Sequence, residues 1–242
     1  MAGTTNFVFE RVEKKYLLTR EKYNLLLEAM EPYMSIDSYG KHTIGNVYYD
    51  TDTYELISRS IEKPKYKEKF RVRSYGIPKE EDKVFLEIKK KYKGIVYKRR
   101  VSMTLKEAED YLEKGIRPKK EGQILKEIDY FLSFYKPTPK VYLAYDRMAY
   151  FGKENKDIRI TFDHNIRSRQ CNMNLAEGDY GTPILDEYHY LMEIKVPGAM
   201  PLWLSKILSD LEIYPTSFSK YGNVYKQFIL PNRRKVLCSQ AY

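Results

Sequence analysis

Several short segments of this chain set charged residues two apart, with apolar residues between them. Arg71 and Arg73 alternate with Phe70, Val72 and Ser74, and Glu87 and Lys89 alternate with Leu86 and Ile88. Glu193 and Lys195 alternate with Met192, Ile194 and Val196, and Arg11, Glu13 and Lys15 keep the same spacing near the start. Arg147, Arg159 and the basic run Val96-Tyr97-Lys98-Arg99-Arg100 extend the theme. Side chains two apart on a strand share a face, so each segment offers one charged face and one apolar face. Cationic faces suit phosphate: Arg offers a planar bidentate fork and Lys a compact point charge. A mixture of both suits a polyanionic ligand. A divalent cation among phosphates needs oxygen ligands and commonly takes one or two protein carboxylates beside the substrate. Glu13, Glu87 and Glu193 are the carboxylates on these faces, and for Glu87 and Glu13 pairing with neighbouring Lys or Arg is the plainer reading.

Strands must present these faces, and helices must cover their apolar sides. Strand patterns fall near residues 9–18, 43–50, 66–76, 83–91, 95–103, 139–151, 157–164 and 188–196. Thr19 is placed to cap a helix running through Leu25, Leu26, Leu27 and Met30, and Thr104 another that stops at Gly115. Two further helices are expected at 123–135 and 201–213, the latter opening with Pro201 in its first turn. The fold class expected is α+β, an eight-stranded antiparallel barrel or tunnel with helices outside, formed by residues 1–242 as a single domain. For any one strand, the charged side is equally the wet face of an ordinary sheet. Taken together, helices on the apolar side leave the charged faces to converge if the sheet curls shut. A cationic lumen is costly when empty, so it implies a polyanionic ligand and a metal.

Composition agrees. Lys and Arg number 43 against 33 Asp and Glu, a formal charge of +10 that favours nucleic acid, an acidic membrane surface or free phosphates as partners. The 31% charged content and the lack of a long apolar run argue against an integral membrane segment. Met1 to Phe9 lack the pattern of a secretory signal. Cys171 and Cys238 are too few for a disulfide framework, are read as structural or incidental, and fit a reducing, cytoplasmic setting. Other machinery is missing. Gly40 and Gly45 have phosphate-loop spacing, but Asn46 follows where a lysine belongs. His42, His164 and His189 lack metal-ligand spacing, and no cysteine has a nucleophile's context. The 24 tyrosines, such as Tyr48 and Tyr49, sit mostly in strand patterns and serve packing rather than base stacking, so nucleic acid is not expected.

The motifs Arg11-Val12-Glu13-Lys14-Lys15-Tyr16, Arg71-Val72-Arg73-Ser74-Tyr75, Leu86-Glu87-Ile88-Lys89 and Tyr97-Lys98-Arg99-Arg100 occur in order. Tyr145-Asp146-Arg147, Arg159-Ile160-Thr161-Phe162-Asp163, Glu193-Ile194-Lys195 and Ser217-Phe218-Ser219-Lys220-Tyr221-Gly222 follow them. Each is weak alone, but the ordered set over residues 7–230 resembles the catalytic domain of vacuolar transporter chaperone (VTC) polyphosphate polymerases, within the triphosphate tunnel metalloenzymes (CYTH-like). The resemblance implies an eight-stranded tunnel that binds ATP and extends polyphosphate with Mn²⁺ or Mg²⁺. It implies that Lys15, Arg71, Arg73, Lys89, Lys98, Arg147 and Arg159 hold phosphates, that Ser219 and Lys220 add contacts, and that Glu193 ligates the metal. Hydrolytic relatives usually begin Glu-x-Glu-x-Lys, whereas Arg11 occupies the first Glu position here, which favours the polymerase branch. Two other readings stay open: a tunnel triphosphatase and a non-catalytic polyphosphate receptor.

Overall fold

The computed structural model describes residues 11–93 and 95–233. In chain order its elements are β1 (Arg11–Thr19), α1 (Arg20–Met30), β2 (Met34–Ile36), β3 (His42–Asp50), α2 (Glu55–Ile61), β4 (Tyr66–Tyr75), β5 (Lys83–Tyr92) and β6 (Ile95–Thr104). There follow α3 (Leu105–Lys114), α4 (Gln123–Tyr135), β7 (Thr138–Gly152), β8 (Arg159–Arg169), β9 (Thr182–Pro183), β10 (His189–Pro197), α5 (Leu202–Asp210), β11 (Pro215–Thr216) and α6 (Lys220–Val224). Two compact units form. One takes the chain up to His42, Asp146–Asn165 and Leu185–Phe218; the other takes Thr43–Tyr145, Ile166–Ile184 and the chain from Ser219.

In the first unit, β1 pairs antiparallel with β10, and β10 with β8. Thr19 ends β1 and caps α1, its Oγ1 accepting from the Lys22 amide at 3.3 Å. The buried face of α1, Tyr23, Leu26 and Met30, covers Tyr16, Leu18, Phe162, Met192 and Ile194, with Leu204 and Leu208 of α5 completing the cluster. Tyr23 stacks on Tyr190 and meets the Phe162 ring edge-on. Each such aliphatic or aromatic side chain contributes roughly 1.5–3 kcal/mol by leaving water. Pro201 is the N-cap of α5 and so lies one place before the first turn expected of it.

In the second unit, β3, β4, β5 and β6 form consecutive antiparallel pairs, with β7 on the far side of β3. Their apolar side (Phe70, Val72, Leu86, Ile88, Val101) lies beneath α3 and α4, which contribute Ala108, Tyr111, Leu125, Ile128 and Phe131. Thr104 and Glu107 form a reciprocal capping box at the head of α3 with bonds of 3.1 and 3.0 Å. Gly115, at φ 71°, ends the helix in the left-handed conformation that glycine adopts without a steric cost.

The result is an α+β fold dominated by antiparallel strands with helices packed on their apolar side, as expected. Its long strands are the eight read from the alternation: β1, β3 to β8 and β10. Within the first unit the pairing order is β11-β1-β10-β8 and within the second β7-β3-β4-β5-β6, with β2 beside β7 and β9 beside β8. The expected closure is not made by backbone pairing among the described residues. The end strand β11 is only two residues long, and its Pro215 has no N–H to donate. Two helices escaped the sequence reading, α2 and α6. Among the described residues no helix is long and apolar enough to cross a membrane. Cys171 is exposed, and Cys238 lies outside the described residues.

Candidate functional site

The charged side of the second unit is a set of cross-strand rows. One row reads Tyr48, Arg71, Glu87, Arg100 across β3, β4, β5 and β6. Arg71 donates from Nε to Glu87 Oε2 at 2.8 Å and from Nη1 to the Tyr48 hydroxyl at 2.8 Å. Burial alone would raise the Glu87 carboxyl, but Arg71 and then Arg73 outweigh it and hold the group below its ordinary value. The next row reads Asn46, Arg73, Phe85, Ser102. Asn46 is fully buried, donates to the Leu143 carbonyl at 3.2 Å and accepts from Arg73 Nε at 3.1 Å. Arg73 is thereby aimed by a fixed amide, and Arg100 lies over the Phe85 ring, 4.4 Å from its centroid.

A third row is entirely cationic: Lys69, Lys89 and Lys98 are Cα partners on β4, β5 and β6. Like charges directly opposite one another destabilise a sheet, so such a row needs partners of opposite charge. Lys69 Nζ donates to Ser219 Oγ at 3.2 Å. Ser219 caps α6 by accepting from the Gly222 amide at 3.2 Å, and Lys220 Nζ sits 4.3 Å from the Tyr145 ring centroid. Tyr221 fixes this turn by donating to the buried Asp50 at 2.9 Å. Asp50 also accepts from the Leu56 and Ile57 amides at 2.9 and 3.0 Å, which organises the start of α2.

The first unit carries its own rows. Lys15, Glu193 and Thr161 are partners on β1, β10 and β8, and Glu13, Lys195 and Arg159 form the adjacent row. Glu193 Oε1 lies 2.6 Å from Lys195 Nζ, and its Oε2 lies 3.8 Å from Lys15 Nζ. Lys15 also donates to the Phe218 carbonyl at 3.1 Å. Beside them, Thr161 Oγ1 is a buried side-chain oxygen with no hydrogen-bond partner among the described residues. Arg147 holds Asp163 in a two-bond clamp.

Of the residues singled out from sequence, Arg71, Arg73, Lys89 and Lys98 thus share one face, together with Ser219 and Lys220 of the same unit. Lys15, Arg159 and Glu193 share another, and Arg147 belongs to that unit through Asp163. Sequence reading gave no site role to Lys69 or Thr161, took Tyr48 for packing, and noted Asn46 only where a phosphate-loop lysine was lacking. The period of two that selected Arg71 and Arg73 also selects Lys69, and that of Arg159 selects Thr161. No group of three or more His, Cys, Asp or Glu side chains gathers as a metal cage among the described residues. Glu87 is committed to Arg71. Glu193, although it also meets Lys195, and the buried Thr161 hydroxyl offer oxygen donors of the type that a divalent cation takes.

Solved structures define the class. A candidate adenylate cyclase from Bacillus halodurans superposes with a TM-score of 0.56 at 17% identity, covering 90% of this chain and 97% of its own. A candidate adenylyl cyclase from Hippeastrum, described as having a dominant triphosphatase activity, superposes with a TM-score of 0.54 at 16% identity, covering 89% of this chain and 95% of its own. The fold is that of the triphosphate tunnel proteins. None of the curated proteins matches the sequence. The VTC domain family profile matches residues 10–229, and the chain belongs to that family.

Proposed function

We propose that this chain is a polyphosphate polymerase that transfers the terminal phosphoryl group of ATP to a growing polyphosphate chain in the cytoplasm. The observation that carries the reading is the succession of cationic cross-strand rows on one face, Lys69, Lys89 and Lys98 beside Arg71 and Arg100, with Arg73 in the row beyond. A long phosphate chain presents a charge at every unit, and successive cationic rows match that repeat. A terminal oxygen of the chain attacks the γ-phosphorus as the bond to the β-phosphate oxygen breaks and ADP departs. Such transfer proceeds through a loose transition state, so positioning and charge neutralisation do most of the work. In the second unit Arg73, aimed by Asn46, and Lys220, set by α6, are the cations for non-bridging oxygens; in the first unit Lys15, Arg159 and Lys195 lie around Glu193. When bound at Glu193, Mn²⁺ or Mg²⁺ would neutralise charge on the transferred group.

A tunnel triphosphatase is the second reading, favoured by the activity described for the Hippeastrum structure. Against it stands Arg11, at the position where hydrolytic relatives usually carry the first Glu. Incubation with ATP and Mn²⁺ decides between them. Long polymer on a gel, with ADP released in proportion, supports the polymerase. Orthophosphate alone identifies a triphosphatase, and tight polyphosphate binding without turnover identifies a receptor.

A further inference from the structure

Between α3 and the apolar side of β3 and β4 lies a cavity of about 230 Å³, walled by Val47, Val72, Leu112, Met173 and Leu175 among others and lined within the second unit alone. Strand parity sets it on the face opposite the phosphate rows, since Val47 falls between Asn46 and Tyr48, and Val72 between Arg71 and Arg73. Tyr49, Glu109 and Glu113 bring polar atoms to the same walls. The Tyr49 ring meets the Phe70 ring at 5.4 Å between centroids, which fixes its direction. Its hydroxyl makes no hydrogen bond among the described residues. Burial, and then Glu113 and Glu109, push that hydroxyl above its ordinary value. The two carboxylates have no cation of their own. Both lysines of α3, Lys106 and Lys114, pair with Asp110 instead, at 3.1 and 2.7 Å. Glu109 accepts from Asn174 Nδ2 at 2.6 Å, and neither Glu109 nor Glu113 makes an ion pair among the described residues. On a chain of formal charge +10, an apolar cavity whose charged groups are all acidic reverses the sign of its surroundings.

We propose that this cavity binds a small organic cation, an ammonium group carried on a compact apolar body. Volume sets the body: an apolar cavity of about 150 Å³ takes benzene, so this one has room for a ring and a short chain. Charge sets the head. An anion would face two carboxylates with no cation between them. An ammonium group instead gains charge-assisted hydrogen bonds from Glu109 and Glu113, and can donate a further one to the Tyr49 oxygen. A neutral hydrocarbon gains from the walls alone and leaves all three polar groups without a partner. Apolar walls with a few convergent polar groups are the usual make-up of a small-molecule site. The proposal stands apart from the catalytic reading, because the cavity and the phosphate rows occupy opposite faces of the same strands.

The test is nuclear magnetic resonance of the full chain with isotope-labelled methionine methyl groups, read at Met173, which lines the cavity and is assigned through Met173→Leu. Phenethylamine, phenylacetate and ethylbenzene are the probes, similar bodies with positive, negative and no charge. Phenethylamine should shift the Met173 signal with a roughly millimolar dissociation constant, as suits so small a ligand. It should bind at least about tenfold more tightly than phenylacetate. The double variant Glu109→Gln/Glu113→Gln should weaken phenethylamine by about tenfold or more and leave ethylbenzene unchanged. No shift of Met173 at about 10 mM phenethylamine, equal affinity for phenylacetate, or wild-type affinity in the double variant would overturn the proposal. None of these readouts involves ATP, so failure of the cavity proposal and failure of the polymerase reading are distinguished.

Discussion

The guanidinium of Arg147 grips the Asp163 carboxylate through two parallel bonds, Nε to Oδ1 at 2.6 Å and Nη2 to Oδ2 at 2.8 Å. Asp163 is 1% exposed, so the pair is a buried, bidentate one. That geometry gives Arg147 an architectural duty besides any contact with phosphate. Arg147→Ala should therefore destabilise the fold by about 3–5 kcal/mol, because it strands a buried carboxylate. Urea unfolding measures this directly. Arg147→Ala/Asp163→Asn should recover part of the loss, and a single variant as stable as wild type would show that the clamp carries no weight.

Glu193 lies between Lys15 and Lys195, and this sets a second expectation. Glu193→Gln should abolish Mn²⁺ binding as seen by titration calorimetry, and polymer synthesis should fall by orders of magnitude. Loss of the carboxylate also leaves two ammonium groups facing each other, so free phosphate should bind this variant at least as well as wild type. Unchanged Mn²⁺ affinity would place the ligand elsewhere.

Arg73 and Lys220 supply a third. Replacing either by Ala removes a charge-assisted contact worth about 1.5–3 kcal/mol, roughly a ten- to hundredfold loss of polymer synthesis. Arg73→Lys should rescue only in part, because lysine cannot reproduce both the fork and the bond to Asn46. Asn46→Ala should mimic a milder Arg73 defect while affecting Lys220-dependent binding little.

The fourth concerns pH. The Glu87 carboxyl is held below its ordinary value of 4.5 by Arg71 and Arg73, whose combined pull exceeds the opposing effect of burial. A depressed carboxylate contributes stability that is fully present above the unfolded value and lost as pH falls through the folded one. Wild type should therefore lose urea resistance between about pH 4.5 and the lower folded value more steeply than Glu87→Gln does. Parallel profiles for the two proteins would remove Glu87 as the source.

Much of this was legible because strand parity is a strict code. Once Phe70 and Val72 are inside, Arg71 and Arg73 have one place to go. The helix between Thr104 and Gly115 was legible for a similar reason, its cap and stop being adjacent in sequence. By contrast, α2 is organised by Asp50, whose carboxylate reaches amides six and seven residues onward, and by Tyr54 in a left-handed conformation. Neither is a local signal. The pairing of Arg71 with Glu87 and the burial of Thr161 depend on register between strands, which parity alone leaves open.

The order in which the rows are stitched together has a consequence for the growing chain. The rows of β3 to β6 come from one continuous stretch, so their hairpins can condense while synthesis continues. The row that sets Lys15 opposite Glu193 joins β1 to β10 across most of the chain's length. Until β10 leaves the ribosome, β1 exists as an open edge, exposed to pairing with other nascent chains. The row around Glu193 is thus completed late, and a ribosome that stalls before Glu193 leaves β1 without its partner and without the carboxylate proposed for the metal.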